Sequence, residues 1–211
     1  MTGYTQINLQ DILDSTFDED RQSGEDKARE ILSAFSCPLN AEIEDFLHNK
    51  AIEFSRQGIA KTHLVFASHQ KSTVLVGFYA LHANKFFTIS DKGMSKNLRR
   101  RFSKFGIYDN NLKQFCISAP LIAQLGKNYT NGYNRLISGN DLLKLACDKI
   151  NIFQKEFGGK ITYLECEENS KLIQFYESNG FVNIGTRPKE DRESGLIKSN
   201  SLIQMIKYTK G

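Results

Sequence analysis

Apolar positions along the chain fall into strand-like and helix-like stretches in a regular order. Phe35-Ser36-Cys37-Pro38-Leu39 leads into a window from about Asn40 to Arg56, where Ile43, Phe46, Leu47, Ala51 and Phe54 form one helical stripe. A β-meander follows. Thr62 to Ser68, Thr73 to His82 and Lys85 to Ser90 are rich in β-branched and aromatic residues, with a polar turn at His69 to Ser72 and a second turn expected at Ala83-Asn84. Cys116 to Leu125 predicts another strand and Gly126 to Ser138 a loop. From Asn140 to Phe157 the positions Leu142, Leu145, Ala146, Ile150, Phe153 and Phe157 keep a helical period. Ser138 and Asp141 match a capping box, and Gly158-Gly159 stops that helix.

Beyond the glycine pair, Lys160 to Cys166 predicts a strand, and Asn169 or Ser170 caps a short helix that ends at Gly180. Tyr176 then sits on the last helical turn. A polar connector at 188–200, expected to be mobile, leads to a closing strand at Ser201 to Tyr208. Strand, loop, helix and strand over 116–166 make a βαβ unit, whose right-handed crossover places the loop and helix N-terminus at the carboxyl ends of parallel strands. Free N–H groups there, after a loop containing Gly132 and Gly139, suit a pyrophosphate. The predicted class is α/β with a mixed central sheet flanked by helices.

Length and composition narrow the field. The chain has 211 residues, enough for one substantial core, so a single domain is the default. No apolar run approaches a membrane span, and the N-terminus lacks the regions of a secretory signal, so a cytoplasmic protein is expected. Cys37, Cys116, Cys147 and Cys166 are widely spaced, with no Cys-x-x-Cys and no local pairing with His48, His63, His69 or His82. Neither a disulfide framework nor a metal site is indicated. A hydrolase lacks its Gly-x-Ser-x-Gly element.

Asn169 stands seven residues before Tyr176, with Gly180-Phe181 four residues after it. This arrangement resembles the end of the coenzyme A site in the GCN5-related N-acetyltransferase (GNAT) superfamily. Phe35-Ser-Cys, Ile43-Glu-Asp-Phe-Leu, Ser55-Arg-Gln-Gly-Ile-Ala-Lys-Thr and Leu75-Val-Gly-Phe-Tyr-Ala-Leu look like the bacterial subgroup that includes toxin acetyltransferases of toxin–antitoxin pairs. The resemblance covers about residues 35 to 208 and implies direct acetyl transfer from acetyl-CoA to a primary amine, without a metal. It implies Tyr176 as the general acid toward the leaving thiolate, a role a phenol with a pKa of about 10 can fill.

It also implies backbone pairing of the Leu121 to Leu125 strand with pantetheine, with the N–H of Ala123 or Leu125 polarising the thioester carbonyl. Asn169 would help hold the pantetheine arm, and Asn134, Arg135, Ser138 and Gly139 the pyrophosphate. The loop departs from the family pattern of Gln or Arg followed by closely spaced glycines, so more side-chain help is expected here. The general base stays open between Glu165, Glu167, Glu168 and solvent.

Charge bears on the acceptor. Acidic residues predominate in 1–30, expected as an extension preceding a domain at 31–211; Ile7, Leu9, Ile12, Leu13 and Phe17 are enough to dock part of it on that domain as a strand or helix, and opposite charge suggests that it also shields a basic focus. That focus is Lys96, Arg99, Arg100, Arg101 and Lys104, interleaved with Phe102, Phe105 and Tyr108. It suits RNA phosphates, an acidic protein, the 3′-phosphate of coenzyme A, or simply solvent. Three roles follow: a toxin-like enzyme acetylating aminoacyl-tRNA through that cluster, an acetyltransferase for a small amine or protein, and a non-catalytic scaffold binding coenzyme A or a partner. A homodimer and an antitoxin partner are left open.

Overall fold

Asn8 ends the first strand and caps the first helix. In the computed structural model, which describes residues 3–17, 22–188 and 201–209, β1 (Tyr4–Asn8) runs into α1 (Leu9–Leu13), and the Asn8 side chain accepts from the Gln10 N–H at 3.1 Å. The short β2 (Thr16–Phe17) and β3 (Gln22–Ser23) pair antiparallel, and Ser23 caps α2 (Gly24–Ser33). A Cβ on Gly24 would lie 2.3 Å from the Ile12 carbonyl oxygen, so only glycine lets α2 approach α1 this closely.

Asn40 caps the next helix. The helix is α3 (Ala41–Asp45), a π-helical turn at Phe46–Lys50 and α4 (Ala51–Arg56) in succession. Next come β4 (Lys61–His69) and β5 (Ser72–Ser90), joined through Gln70 and Lys71, both at positive φ, which is the two-residue turn whose twist matches paired strands. The turn expected at Ala83-Asn84 is absent: β5 runs through it for 19 residues. Neither residue takes a positive φ, and the Asn84 side chain is occupied by the Ser118 hydroxyl.

Ser95 caps α5 (Lys96–Phe102), followed by β6 (Gly106–Asp109), β7 (Gln114–Lys127) and a 3₁₀ segment at Thr130–Arg135. α6 (Gly139–Phe157) ends at the glycine pair, where Gly158 and Gly159 both have positive φ. β8 (Ile161–Glu167), α7 (Ser170–Ser178), β9 (Val182–Pro188) and β10 (Ser201–Tyr208) complete the described chain. The neighbours β7 and β8 are connected through α6, the crossover a parallel pair requires. The connector expected at 188–200 and the acidic residues Asp18, Glu19 and Asp20 lie, apart from Pro188, outside the described residues.

Two units divide the chain, one of Met1–His82 with Ile122–Asp148, the other of Ala83–Leu121 with Lys149–Gly211. In the first, the strand order is β1, β4, β5, β7, and β1 pairs antiparallel with β4 from Tyr4↔Ala67 to Asn8↔His63. Its core gathers Leu9, Ala28, Leu32, Phe35, Leu47, Leu64 and Phe78. The acidic N-terminal segment docks on the domain, supplying an edge strand and core side chains. Burying a leucine or isoleucine contributes about 1.5–3 kcal/mol, which outweighs the weak local preferences of a five-residue helix. In the second unit the order is β5, β7, β8, β10, β9, with β6 on β7. Its core gathers Phe87, Phe102, Phe115, Ile117, Tyr163 and Ile206.

Candidate active site

A single bulge sets the loop expected to hold the pyrophosphate. Between β4 and β5 the register passes from Val65↔Gly77 to Phe66↔Leu75, leaving Val76 unpaired on β5. Consecutive carbonyls of a regular strand point to opposite edges. Here the bulge lets Leu75 and Val76 both offer theirs to Asn128: Leu75 O accepts from its side-chain amide at 2.9 Å and Val76 O from its backbone N–H at 2.9 Å. Asn128 is fully buried, and its side chain also donates to Ala34 O at 3.2 Å and accepts from Ser36 N at 3.0 Å and Thr130 N at 3.1 Å. All four bonding positions of the side chain are thus used, and the start of the loop is fixed.

The loop then turns back through Asn131 and Gly132, both left-handed at φ 52° and 76°. The Tyr4 hydroxyl donates to Leu136 O at 2.9 Å and Lys127 Nζ to Ile137 O at 3.2 Å, holding the far side. Burial first, and the Asp141 charge second, push the Tyr4 phenol above its ordinary pKa. Ser138 and Asp141 form the expected capping box: Ser138 Oγ accepts from Asp141 N at 3.0 Å and donates to the Asp141 carboxylate at 2.7 Å. The Ser138 hydroxyl is therefore occupied, and what Ser138 and Gly139 can offer an anion is backbone N–H. Arg135 is exposed and Asn134 half-buried in the same segment. Lys127 and Tyr4 escaped the sequence reading. Lys127 ends a strand directly before the loop, which is the one signal that marks it.

Along β7 the buried residues are Phe115, Ile117 and Ala119, then Ile122 and Gly126. The alternation shifts phase by one residue across Pro120, which has no N–H to give a ladder. Leu121, Ala123 and Leu125, the expected pantetheine partners, are half-buried. Leu121 belongs to the second unit, and Ala123 and Leu125 to the first, together with Asn134, Arg135, Ser138 and Gly139.

Asn169 and Tyr176 lie in the second unit, at the two ends of α7. The Asn169 side-chain oxygen accepts from Lys171 N at 2.9 Å and Leu172 N at 3.4 Å, which leaves its amide NH₂ to donate elsewhere. At the other end Phe181 N donates to Tyr176 O at 3.1 Å and Gly180 N to Glu177 O at 2.9 Å, with Gly180 at φ 83°. This is a Schellman closure, and its usual apolar contact is the Tyr176–Phe181 ring pair at 5.9 Å. The glycine and phenylalanine after the helix thus fix the tyrosine. Burial, and then Cys166, push its phenol above the ordinary range. Its hydroxyl makes no hydrogen bond among the described residues, so the proton is available to an outside acceptor.

Of the candidate bases, Glu165 is committed elsewhere: its carboxylate takes Arg187 Nε and Nη2 at 2.6 Å each, and the Tyr163 hydroxyl at 2.5 Å. The basic cluster lies on α5, apart from Lys104, which follows it. Arg99 pairs with Asp91 at 2.8 Å and lies over Tyr108, while Arg101 lies over Tyr208 at 4.6 Å. Lys96, Arg100 and Lys104 are exposed cations. Phe102 is fully buried, so it packs and does not stack on a base. No group of side chains that would hold a metal ion is found among the described residues.

No protein-family model matches the sequence, and no curated protein sequence does. Solved structures do. A tyrosine-to-phenylalanine mutant of KacT is similar at TM-score 0.58 and 14% identity, over 95% of this chain and 93% of that one. AtaT complexed with acetyl-methionyl-tRNAfMet is similar at TM-score 0.56 and 16% identity, over 95% and 93%. AtaTR bound with AcCoA follows at TM-score 0.53 and 17% identity, over 96% and 93%. The chain has the GNAT fold. At such identities the likeness is one of backbone, so it establishes the GNAT architecture expected from the sequence and leaves the chemistry to the residues.

Proposed function

We propose that this GNAT-fold chain is an acetyl-CoA-dependent N-acetyltransferase whose acceptor is the amine of an aminoacyl-tRNA. The observation that carries the reading is Tyr176: a half-buried phenol, fixed by a helix closure, still protonated at neutral pH and without an internal acceptor. Asn134 and Arg135, with the N–H groups of Ser138 and Gly139, would hold the pyrophosphate, and Lys127 adds a cation at the same loop. Asp141 in the first turn opposes an anion, which is why these cations matter. The amide of Asn169 would donate to the pantetheine arm, and the backbone of Leu121, Ala123 and Leu125 would pair with it.

When bound, acetyl-CoA supplies the thioester carbon that the amine nitrogen attacks. Tyr176 gives its proton to the sulfur as the carbon–sulfur bond breaks, and the proton lost by the nitrogen returns to the phenolate through solvent. An α-amine with a pKa of about 8 is already partly neutral and needs little help from a base, which suits a site whose Glu165 is held by Arg187. The acceptor class draws on AtaT, complexed with acetyl-methionyl-tRNAfMet, and on the cations of α5 and the turn after it, of which Lys96, Arg100 and Lys104 would meet phosphates while Arg99 and Arg101 brace the helix. A cytoplasmic location follows from that acceptor, and no helix among the described residues is long and apolar enough to cross a membrane.

The test is acetyl transfer from acetyl-CoA to aminoacyl-tRNA. Tyr176→Phe is expected to lower turnover at least about tenfold while acetyl-CoA affinity, read by the thermal shift it produces, stays unchanged. Equal turnover of the two proteins would remove Tyr176 from the chemistry. A wild-type protein whose midpoint does not move with acetyl-CoA would instead be a scaffold.

A further inference from the structure

Within the first unit α3 lies directly on β7, and a glycine allows it. A Cβ on Gly126 would meet Ile43 Cγ2 at 2.5 Å, Phe78 at 3.0 Å and Phe35 at 3.2 Å, so this face of β7 is pressed against α3 and its neighbours. Side chains two apart share a face of a strand, which puts Gln124 on the same side. There Gln124 Nε2 donates to Glu42 Oε1 at 3.1 Å. Lys127 belongs to the other face, where it donates to Ile137 O, so it does not meet this carboxylate.

The main chain of the same stretch also has a fixed direction. Asn128 N donates to Val76 O at 2.9 Å, and a Cβ on Gly77 would lie 2.7 Å from Gly126 O, so positions 126 and 128 turn their polar groups to β5. Consecutive residues of a strand turn theirs to opposite edges, so Ala123 and Leu125 turn their N–H groups away from β5. One of those N–H groups is expected to polarise the thioester carbonyl, and Gln124 stands between the two. Glu42, held by Gln124, therefore lies on the α3 face beside the carbon that the amine attacks.

Glu42 differs from the other carboxylates of its helix. Glu44 is taken up by the preceding loop, accepting from Cys37 N at 2.5 Å and Ser36 Oγ at 3.2 Å, and Asp45 pairs with Lys50 at 2.7 Å. Glu42 is half-buried and makes no ion pair among the described residues; its one side-chain partner is the neutral amide of Gln124. A carboxylate partly removed from water and without a cation attracts one. Acetyl-CoA brings neutral amides and anionic phosphates. The acceptor amine, with a pKa of about 8, is largely an ammonium below neutral pH.

We infer that Glu42 receives the amine of the acceptor, holding its nitrogen against the acyl carbon, and so selects an aminoacylated RNA over the same RNA with its amine capped. The inference deepens the acetyltransferase reading and rests on it for the place of the thioester. No chemical step is added: the carboxylate holds N–H groups, and the proton that the nitrogen loses still leaves through solvent.

The test measures binding without transfer. In the absence of acetyl-CoA and at about pH 6, where the amine is charged, the full chain is titrated with bulk aminoacyl-tRNA and with the same tRNA after chemical N-acetylation. The wild type is expected to prefer the free amine about fivefold, the size of one charge-assisted hydrogen bond in a half-exposed place. Glu42→Gln keeps the volume and an oxygen for Gln124 to donate to, and removes the charge. It is expected to erase the preference and raise KM for aminoacyl-tRNA by a similar factor, with the thermal shift produced by acetyl-CoA unchanged.

Equal wild-type affinity for the two tRNA preparations, including none for either, overturns the inference, and so does a Glu42→Gln protein that keeps the preference. A folded Glu42→Gln protein that loses the acetyl-CoA shift would assign the carboxylate to the coenzyme, which also overturns it. Failure of the acetyltransferase reading shows separately, as a free-amine preference in a protein that transfers no acetyl group.

Discussion

Replacing Asn128 by alanine tests whether the phosphate loop is held as the hydrogen bonds indicate. The substitution removes four bonds: two donated to the carbonyls of Ala34 and Leu75, and two accepted from the N–H groups of Ser36 and Thr130. A net contribution of about 1 kcal/mol each, less where water can reach the part-buried partners, gives a loss of about 3–4 kcal/mol. That is a large share of the stability of an ordinary domain, and at this chain length it lowers the thermal midpoint by about 6–16 °C. Urea unfolding followed by circular dichroism reads it as a lower midpoint at unchanged slope.

Asn128→Asp sharpens the assay, since it keeps the two accepted bonds and turns a carboxyl toward two carbonyl oxygens. That carboxyl would have a folded-state pKa above its unfolded value of about 3.9. Stability of this variant would then be greatest below that value and fall as pH rises through the folded value. A loss below about 1 kcal/mol for Asn128→Ala would refute the assignment of Asn128 as the anchor of the loop.

Two further predictions concern the first unit. Deleting residues 1–25 removes β1, with Tyr4, and the buried Leu9 and Ile12, so the shortened chain is expected to be unfolded or aggregated by circular dichroism. A shortened chain that keeps its full thermal midpoint would sink that account. Glu25 accepts hydrogen bonds from Arg29 and Arg56, which in that order hold its carboxyl below the ordinary glutamate range. A depressed carboxyl adds stability above its unfolded pKa and loses it as pH falls through the folded value, so the urea midpoint should drop between about pH 5 and pH 3, and less steeply in Glu25→Gln.

Local signals made much of this protein legible from its residues in order. Ser138 and Asn169 cap the helices they were expected to cap, Gly158-Gly159 and Gly180 stop theirs, and Tyr176 stands where the Gly180-Phe181 closure puts it. A cap or closure is decided by partners within a few residues, so it can be read without knowing the rest of the chain. What only the tertiary structure decided involves partners far apart in sequence. Tyr4 reaches Leu136 across 132 positions, Glu165 finds Arg187 across 22, and Asn128 is fixed by a bulge at Val76 that no pattern in β5 announces.

The same reason explains the differences from expectation. Ala83-Asn84 has turn composition but stays extended because Ser118 engages Asn84. The acidic leader packs on the core because burial of Leu9, Ile12 and Ala28 outweighs its charged composition. Two arginines of the basic cluster, both exposed, engage Asp91, Tyr108 and Tyr208, partners that come from outside their own helix. Sequence carries the preferences of each segment, and the fold chooses among them wherever a long-range contact is worth more than the local preference it overrides.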